Sequence, residues 1–172
     1  MDTKFKVFAY LLLSVSILTI IIVFWIEYIE KILPCELCTY QRWPYFILVL
    51  LSILMILIKD MKKLFYAFCF ASLILFISAL LAIYHSGIEQ SLWSGFSTCS
   101  SLTKINTNSL AELKKLILET PIIRCDVISW KIYIFSLSNI NSILSLSLLI
   151  ICLLLNIDLY KNRKKLFDSY LT

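Results

Sequence analysis

Four stretches of this chain contain no Asp, Glu, Lys or Arg: Val7 to Ile26, Trp43 to Ile58, Leu64 to Tyr84 and Ile132 to Ile157. A helix needs roughly 20 apolar residues, and no fewer than about 17, to cross a hydrocarbon layer of about 30 Å. The first and third runs suffice as they stand. The second is short and is extended outward through Tyr40 and Gln41, whereas the fourth opens on a polar segment, Ser136 to Ser142, which leaves residues 140–157 as its spanning part. With 60% hydrophobic and only 16% charged residues, the composition is not that of a soluble domain. The expectation is an all-α membrane protein: a four-transmembrane-helix bundle forming one domain over residues 1–172. Its helices lie near 7–26, 41–58, 64–84 and 140–157, and its two outward loops near 27–40 and 85–135. No repeat, low-complexity tract or Gly/Ser linker divides it. Lys4 and Lys6 precede the first run as they would in a signal peptide, but Glu27-Tyr28-Ile29-Glu30-Lys31 offers no small-residue cleavage site, so that run is expected to be retained.

Basic residues resist translocation, so their distribution orients the bundle. The N-terminus, the 59–63 connection and the tail after Ile157 hold Lys4, Lys6, Lys59, Lys62, Lys63, Lys161, Arg163, Lys164 and Lys165. The longer loops between them hold the rest, far more thinly: Lys31, Arg42, Lys104, Lys114, Lys115, Arg124 and Lys131. Both termini are therefore expected on the cytoplasmic side. Trp25, Trp43, Trp93 and Trp130 then all mark the outward boundary, where amphipathic rings settle. The basic tail reads as the orientation determinant and a partner for anionic lipid head groups, not as a nucleic-acid surface.

Six cysteines divide by depth. Cys69 and Cys152 fall mid-span, where a thiol packs as a small apolar residue. Cys35, Cys38, Cys99 and Cys125 fall in the outward loops, two in each, and an even number of thiols in an oxidising compartment reads as disulfides. Pro34-Cys35-Glu36-Leu37-Cys38 is a C-x-x-C, whose close spacing lets the pair switch between dithiol and disulfide. If Pro34 opens the second helix, Cys38 lies in its first turns, where free N–H groups favour a thiolate. Arg42 follows four residues later on the same face and would add a permanent positive charge. It reads either as an interfacial snorkelling residue or, beside this motif, as a donor to an electron acceptor whose oxygens become anionic on reduction, such as a quinone. Gln41 is either a second donor or a wet interfacial residue. His85, the only histidine, is either a surface residue at the exit of the third helix or a proton carrier.

Cys99 and Cys125 bracket residues 100–124, a spacing that suits either a structural staple or an exposed disulfide offered to another protein. Between them Ser109-Leu110-Ala111-Glu112 is a capping box, Pro121 is a stop, and Leu110, Leu113, Leu116 and Ile117 recur at helical spacing. A short helix lying on the outer membrane surface is expected there. Four cysteines also raise a zinc site, but zinc tetrahedra prefer two close pairs. A non-enzymatic membrane protein with stapled loops remains the other alternative.

The string Pro34-Cys35-Glu36-Leu37-Cys38-Thr39-Tyr40-Gln41-Arg42-Trp43-Pro44-Tyr45 resembles the signature of the bacterial disulfide bond formation protein B (DsbB) family, and so do Tyr84 to Glu89, Trp93, the surroundings of Cys99, Arg124-Cys125-Asp126 and Trp130. The resemblance covers nearly the whole chain. It departs from the family around Ser129 and at Ile134 to Asn139, where a Pro, a Gly and small residues are usual. It implies a protein-dithiol:quinone oxidoreductase of the inner membrane that reoxidises a periplasmic thioredoxin-fold oxidase of the DsbA type, or a relative serving a dedicated partner. In that scheme the partner attacks Cys99, Cys125 exchanges with the first pair through Cys35, and Cys38 faces the quinone, ubiquinone or menaquinone, beside Arg42. Because such an oxidase sits near about −120 mV, only an acceptor with a quinone's driving force regenerates it.

Overall fold

The structure, a computed structural model, describes residues 3–95, 125–126 and 130–171, without the side chains of Ile132 and of residues 162–171. The predicted surface helix near 109–119 and Cys99 lie outside the described residues.

Among the described residues four helices are long and apolar enough to cross a membrane, and the chain is a multi-pass membrane protein. The first is α1 (Thr3–Tyr28). The second span is made of two pieces, α2 (Glu36–Tyr40) and α3 (Trp43–Leu57). Pro44 explains the division: it has no N–H for the carbonyl of Tyr40, and its ring crowds that carbonyl, so the first helix must stop there. At 15 residues, α3 reaches only about 22 Å at 1.5 Å per residue, short of the hydrocarbon thickness. The turn at Gln41 and Arg42 and the short α2 complete the crossing, and so place the C-x-x-C at the end of a span. The third span, α4 (Met61–Glu89), starts at Asp60, whose carboxylate accepts from the Lys62 N–H at 2.8 Å. Only residues 58–60 separate α3 from α4, which makes the two antiparallel neighbours.

The fourth span begins earlier than the polar segment implied. The helix α5 (Leu137–Leu171) starts within it, because Ser138, Asn139, Asn141 and Ser145 face α4 and α3 rather than lipid. Ser78 and Ser145 hydroxyls meet at 3.0 Å, and Gln90 Nε2 donates to Asn139 Oδ1 at 3.3 Å. In a bilayer such cross-helix hydrogen bonds satisfy groups that lipid cannot. A small hairpin precedes the helix, with β1 (Lys131–Ile132) antiparallel to β2 (Phe135–Ser136) and Tyr133 in the left-handed region at φ 53.

The helices pack in the order α1, α3, α4, α5, and α1 and α5 touch at few points. At the end bearing the termini the core is closed: Phe5, Phe8, Ala9 and Leu12 recur at helical spacing on α1 and meet Leu48, Leu51, Phe68, Leu75 and Cys152. Phe5 and Phe68 stand edge to face at 5.9 Å. Cys152 is fully buried there, as a small core residue should be, and Ser72 donates to its sulfur at 3.3 Å. Cys69 instead faces outward. The outer faces are as apolar as the core, with Val7, Leu18, Leu50 and Leu154 exposed, as a bilayer requires. At the opposite end the Trp93 indole lies flat over Gly87, where an added Cβ would come within 2.0 Å of the ring, and its Nε1 donates to the Tyr84 carbonyl at 2.9 Å. Only glycine admits that approach, which folds the chain leaving α4 back onto the helix.

Candidate functional site

The chain turns sharply after α1, with Lys31 in the left-handed region at φ 55, and delivers Cys35 in extended conformation to the start of α2. Cys35 is the N-cap, and its sulfur accepts from the Cys38 N–H at 3.3 Å. The Cys35 thiol then donates to Cys38 Sγ at 3.0 Å. That donation, reinforced by burial, pushes the Cys35 pKa up to about 12 from an ordinary 9.0. Cys35 holds its proton, so Cys38 is the sulfur of the pair placed to carry charge. Below pH 9 Cys35 is neutral folded or unfolded. Between 9 and 12 the folded chain alone keeps the proton, so the stabilisation from this thiol is lost as pH rises through 12. In the reduced protein at pH 8, alkylation of Cys35 by iodoacetamide is expected to run at least about tenfold slower than that of an ordinary thiol, the scarcer thiolate outweighing its greater nucleophilicity. Site-resolved mass spectrometry checks this. Equal labelling of Cys35 and an unhindered thiol would refute the hydrogen-bonded assignment.

Behind the sulfurs stands His85, buried on α4, with Nε2 at 3.6 Å from Cys35 Sγ and 3.7 Å from Glu89 Oε1. Its Nδ1 meets Gln41 Nε2 at 2.9 Å. Both residues are buried, which removes the reading of either as a wet interfacial residue: the turn before α3 points Gln41 inward, onto α4. Glu89 is held by the Ser136 hydroxyl at 2.5 Å and by that of Ser138. Cys35 Sγ, Cys38 Sγ and the His85 nitrogen lie within 4.8 Å of one another, a ligand set that zinc accepts in kind.

Arg42 follows the short α2 in helical backbone, its N–H turned back to the Thr39 carbonyl at 3.2 Å. Its guanidinium pairs with Glu27 near the end of α1 and lies over the Phe24 ring at 5.3 Å. It remains in the wall of a cavity of about 180 Å³, which Cys35, Cys38, Gln41, His85 and Glu89 also line. Most of the rest of that wall is apolar, from Ile20, Val23 and Ile26 on α1 to Ile140 and Leu144 on α5. The cavity therefore occupies the gap where α1 and α5 scarcely meet.

Of the residues singled out from sequence, Cys35, Cys38, Gln41, Arg42 and His85 converge on this cavity. Cys125 is buried and shares a small apolar cluster with Cys35, Leu37, Ile88, Cys38 and Tyr84, which brings the second loop to the first pair. Sequence reasoning overlooked Glu89, Tyr45 and Asn141, all in the cavity wall. Glu89 was legible as the i+4 neighbour of His85 on one helix. Asn141 carried a weaker signal, an amide within a membrane-spanning run.

A helical membrane bundle that holds a C-x-x-C dithiol in the wall of a cavity, with a third cysteine buried against it, defines a membrane thiol–disulfide protein. The chain matches the family model described as disulfide bond formation protein DsbB over residues 5–155, and it belongs to that family. Membership carries disulfide oxidoreductase activity and a role in disulfide bond formation. The chain is also similar to an uncharacterized protein of Rickettsia prowazekii (strain Madrid E), at 30% identity over 148 residues, covering 86% of this chain and 85% of the relative. No solved structure matches it.

Proposed function

We propose that this protein is a protein-dithiol:quinone oxidoreductase of the bacterial inner membrane, which takes electrons from a periplasmic thioredoxin-fold thiol oxidase of the DsbA type and passes them to ubiquinone or menaquinone. The observation that carries the reading is the opening of the Cys35–Cys38 contact into the cavity shared with Arg42 and His85. A cavity of about 180 Å³ is below the roughly 300 Å³ of a drug-sized pocket, which suits one substituted ring. Its apolar walls on α1 and α5, and the sparse contact between those helices, suit a lipid-borne molecule arriving from the side. Arg42 and Gln41 would hold the ring oxygens. A bound quinone supplies the electron sink, taking up two electrons and two protons to become the quinol.

The thiol chemistry belongs to the chain. A partner thiolate attacks Cys99 of a Cys99–Cys125 disulfide, forming a mixed disulfide and releasing Cys125 with the electron pair. Cys125 attacks Cys35 of the oxidised first pair, and Cys38 leaves as the thiolate. The partner's second thiolate attacks its own sulfur in the mixed disulfide, closes the partner disulfide and frees Cys99. Cys99 then attacks Cys125, which restores the second pair and leaves Cys35 and Cys38 reduced. Two electrons have moved from one dithiol to the other. The burial of Cys125 beside Cys35 supports the middle step. The basic ends favour cytoplasmic termini and hence periplasmic cysteines.

The test is anaerobic stopped-flow absorbance of the quinone-loaded protein mixed with a reduced thioredoxin-fold oxidase. The expected result is quinone bleaching with one partner disulfide formed per quinone. A quinone that stays oxidised while the partner is consumed would overturn the reading.

A further inference from the structure

Behind His85, Gln41 and Tyr45 are buried and Asn141 half-buried, and the three are joined head to tail. The Tyr45 hydroxyl donates to Asn141 Oδ1. Asn141 Nδ2 donates to Gln41 Oε1 at 2.7 Å. With its carbonyl taken, Gln41 turns its amide nitrogen to His85 Nδ1 at 2.9 Å. An amide NH2 group only donates, so Nδ1 must offer a lone pair, and the proton of the neutral imidazole must sit on Nε2. That nitrogen faces Cys35 Sγ and Glu89 Oε1, both acceptors. The opposite tautomer would set two donors against each other at Nδ1 and a lone pair against sulfur and carboxylate at Nε2. Turning both amides round would let the file run backwards, but only by setting a bare Nε2 lone pair against the Glu89 carboxylate at 3.7 Å, and that carboxylate selects the observed direction.

We propose that Gln41, Asn141 and Tyr45 are positioning residues that fix His85 in its Nε2–H tautomer and so hold an N–H donor on the Cys35 sulfur. The proposal rests on the reading of Cys35 and Cys38 as a redox pair. Whenever a thiolate attacks the sulfur bonded to Cys35, a new S–S bond forms and the electron pair of the old one leaves on Cys35 Sγ. The Nε2–H is the group already aimed at that charge, and no proton need move for it to act. The same tautomer withholds the Nε2 lone pair from a metal ion, which keeps the Cys35, Cys38 and His85 trio a thiol centre rather than a zinc site. The Ser145 hydroxyl lies 3.2 Å from Tyr45 and 3.3 Å from Asn141 Oδ1, so it provides a second, weaker donor at the far end of the file.

His85 is the only histidine in the chain, so [15N]histidine labelling of the reduced, full-length protein reports on this ring alone. Two-bond 1H–15N correlation spectra, taken at a pH where the ring is neutral, identify the protonated nitrogen. The wild type is expected to carry its proton on Nε2. Gln41→Glu keeps the shape but turns the donor into an acceptor, and is expected to place the proton on Nδ1. Asn141→Leu is expected to shift the tautomer ratio toward Nδ1–H by about tenfold, and Tyr45→Phe by less because Ser145 remains. A wild-type proton on Nδ1 overturns the proposal without any variant, as does an Nδ1 left bare in Gln41→Glu. The measurement needs neither quinone nor partner, so it stands apart from the test of quinone reduction.

Discussion

Cys38→Ser is expected to abolish quinone reduction, by about a thousandfold or more, while the partner protein is still oxidised once. The Cys35 thiol keeps its proton by donating to Cys38 Sγ at 3.0 Å, so the charge that faces the cavity sits on Cys38. Serine keeps the position and a hydrogen-bond acceptor, but it forms no disulfide and ionises far above any working pH. The loss therefore reflects removed chemistry rather than removed packing, and falls in the range seen when a group that acts as part of a unit is deleted. With reduced partner in excess, the variant should release a single equivalent of partner disulfide, from the Cys99–Cys125 pair, with no change in quinone absorbance. Continued turnover would show that electrons leave through another sulfur. Cys35→Ser should also stop turnover, at the earlier exchange with Cys125 that the shared cluster of Cys35 and Cys125 favours. Acid-quenched thiol trapping checks the balance: in either variant, once that equivalent is released, Cys99, Cys125 and the remaining thiol of the first pair should all be free.

The spans and the C-x-x-C were legible because each depends on local sequence alone. A run without charges becomes a membrane helix wherever it lies, and a two-residue spacing brings two sulfurs together in any turn. What was less legible depends on pairing between distant segments. The polar run from Ser136 read as a blurred helix start, yet its hydroxyls and amides are the partners of Glu89, Gln41 and Tyr45, which lie 47 to 100 residues away in sequence. His85 and Gln41 looked interfacial because what covers them is distant in sequence: Cys35 and Gln41 meet His85, and Asn141 on α5 meets Gln41. Arg42 joins Cys38 in the cavity wall, but its ion-pair partner was not legible from nearby sequence. Its actual partner, Glu27, belongs to the previous helix.

That ion pair gives the second large expected effect, because Arg42 has two readings with opposite consequences for its partner. If Arg42 only ties α3 to α1, then Arg42→Ala and Glu27→Gln remove the same bond and should lower stability and activity together. If the guanidinium also stabilises negative charge developing in the cavity, Glu27 competes for it, since the carboxylate offsets the same positive charge. Arg42→Ala is then expected to slow quinone reduction by about tenfold to a hundredfold, within the range for removing one fixed donor from a developing oxyanion. Glu27→Gln should leave that rate unchanged or raise it, although it loosens the same contact. Arg42→Lys keeps the charge but not the planar fork that reaches Glu27 and lies over Phe24, and should recover only part of the rate. Single-turnover quinone reduction in the three variants, each checked for intact helix content and thermal melting, distinguishes the readings. Equal losses in Arg42→Ala and Glu27→Gln would reduce Arg42 to a strut. Because the pair is only partly exposed, with side chains 14% and 20% accessible, the low local dielectric makes the difference between the two variants large enough to read.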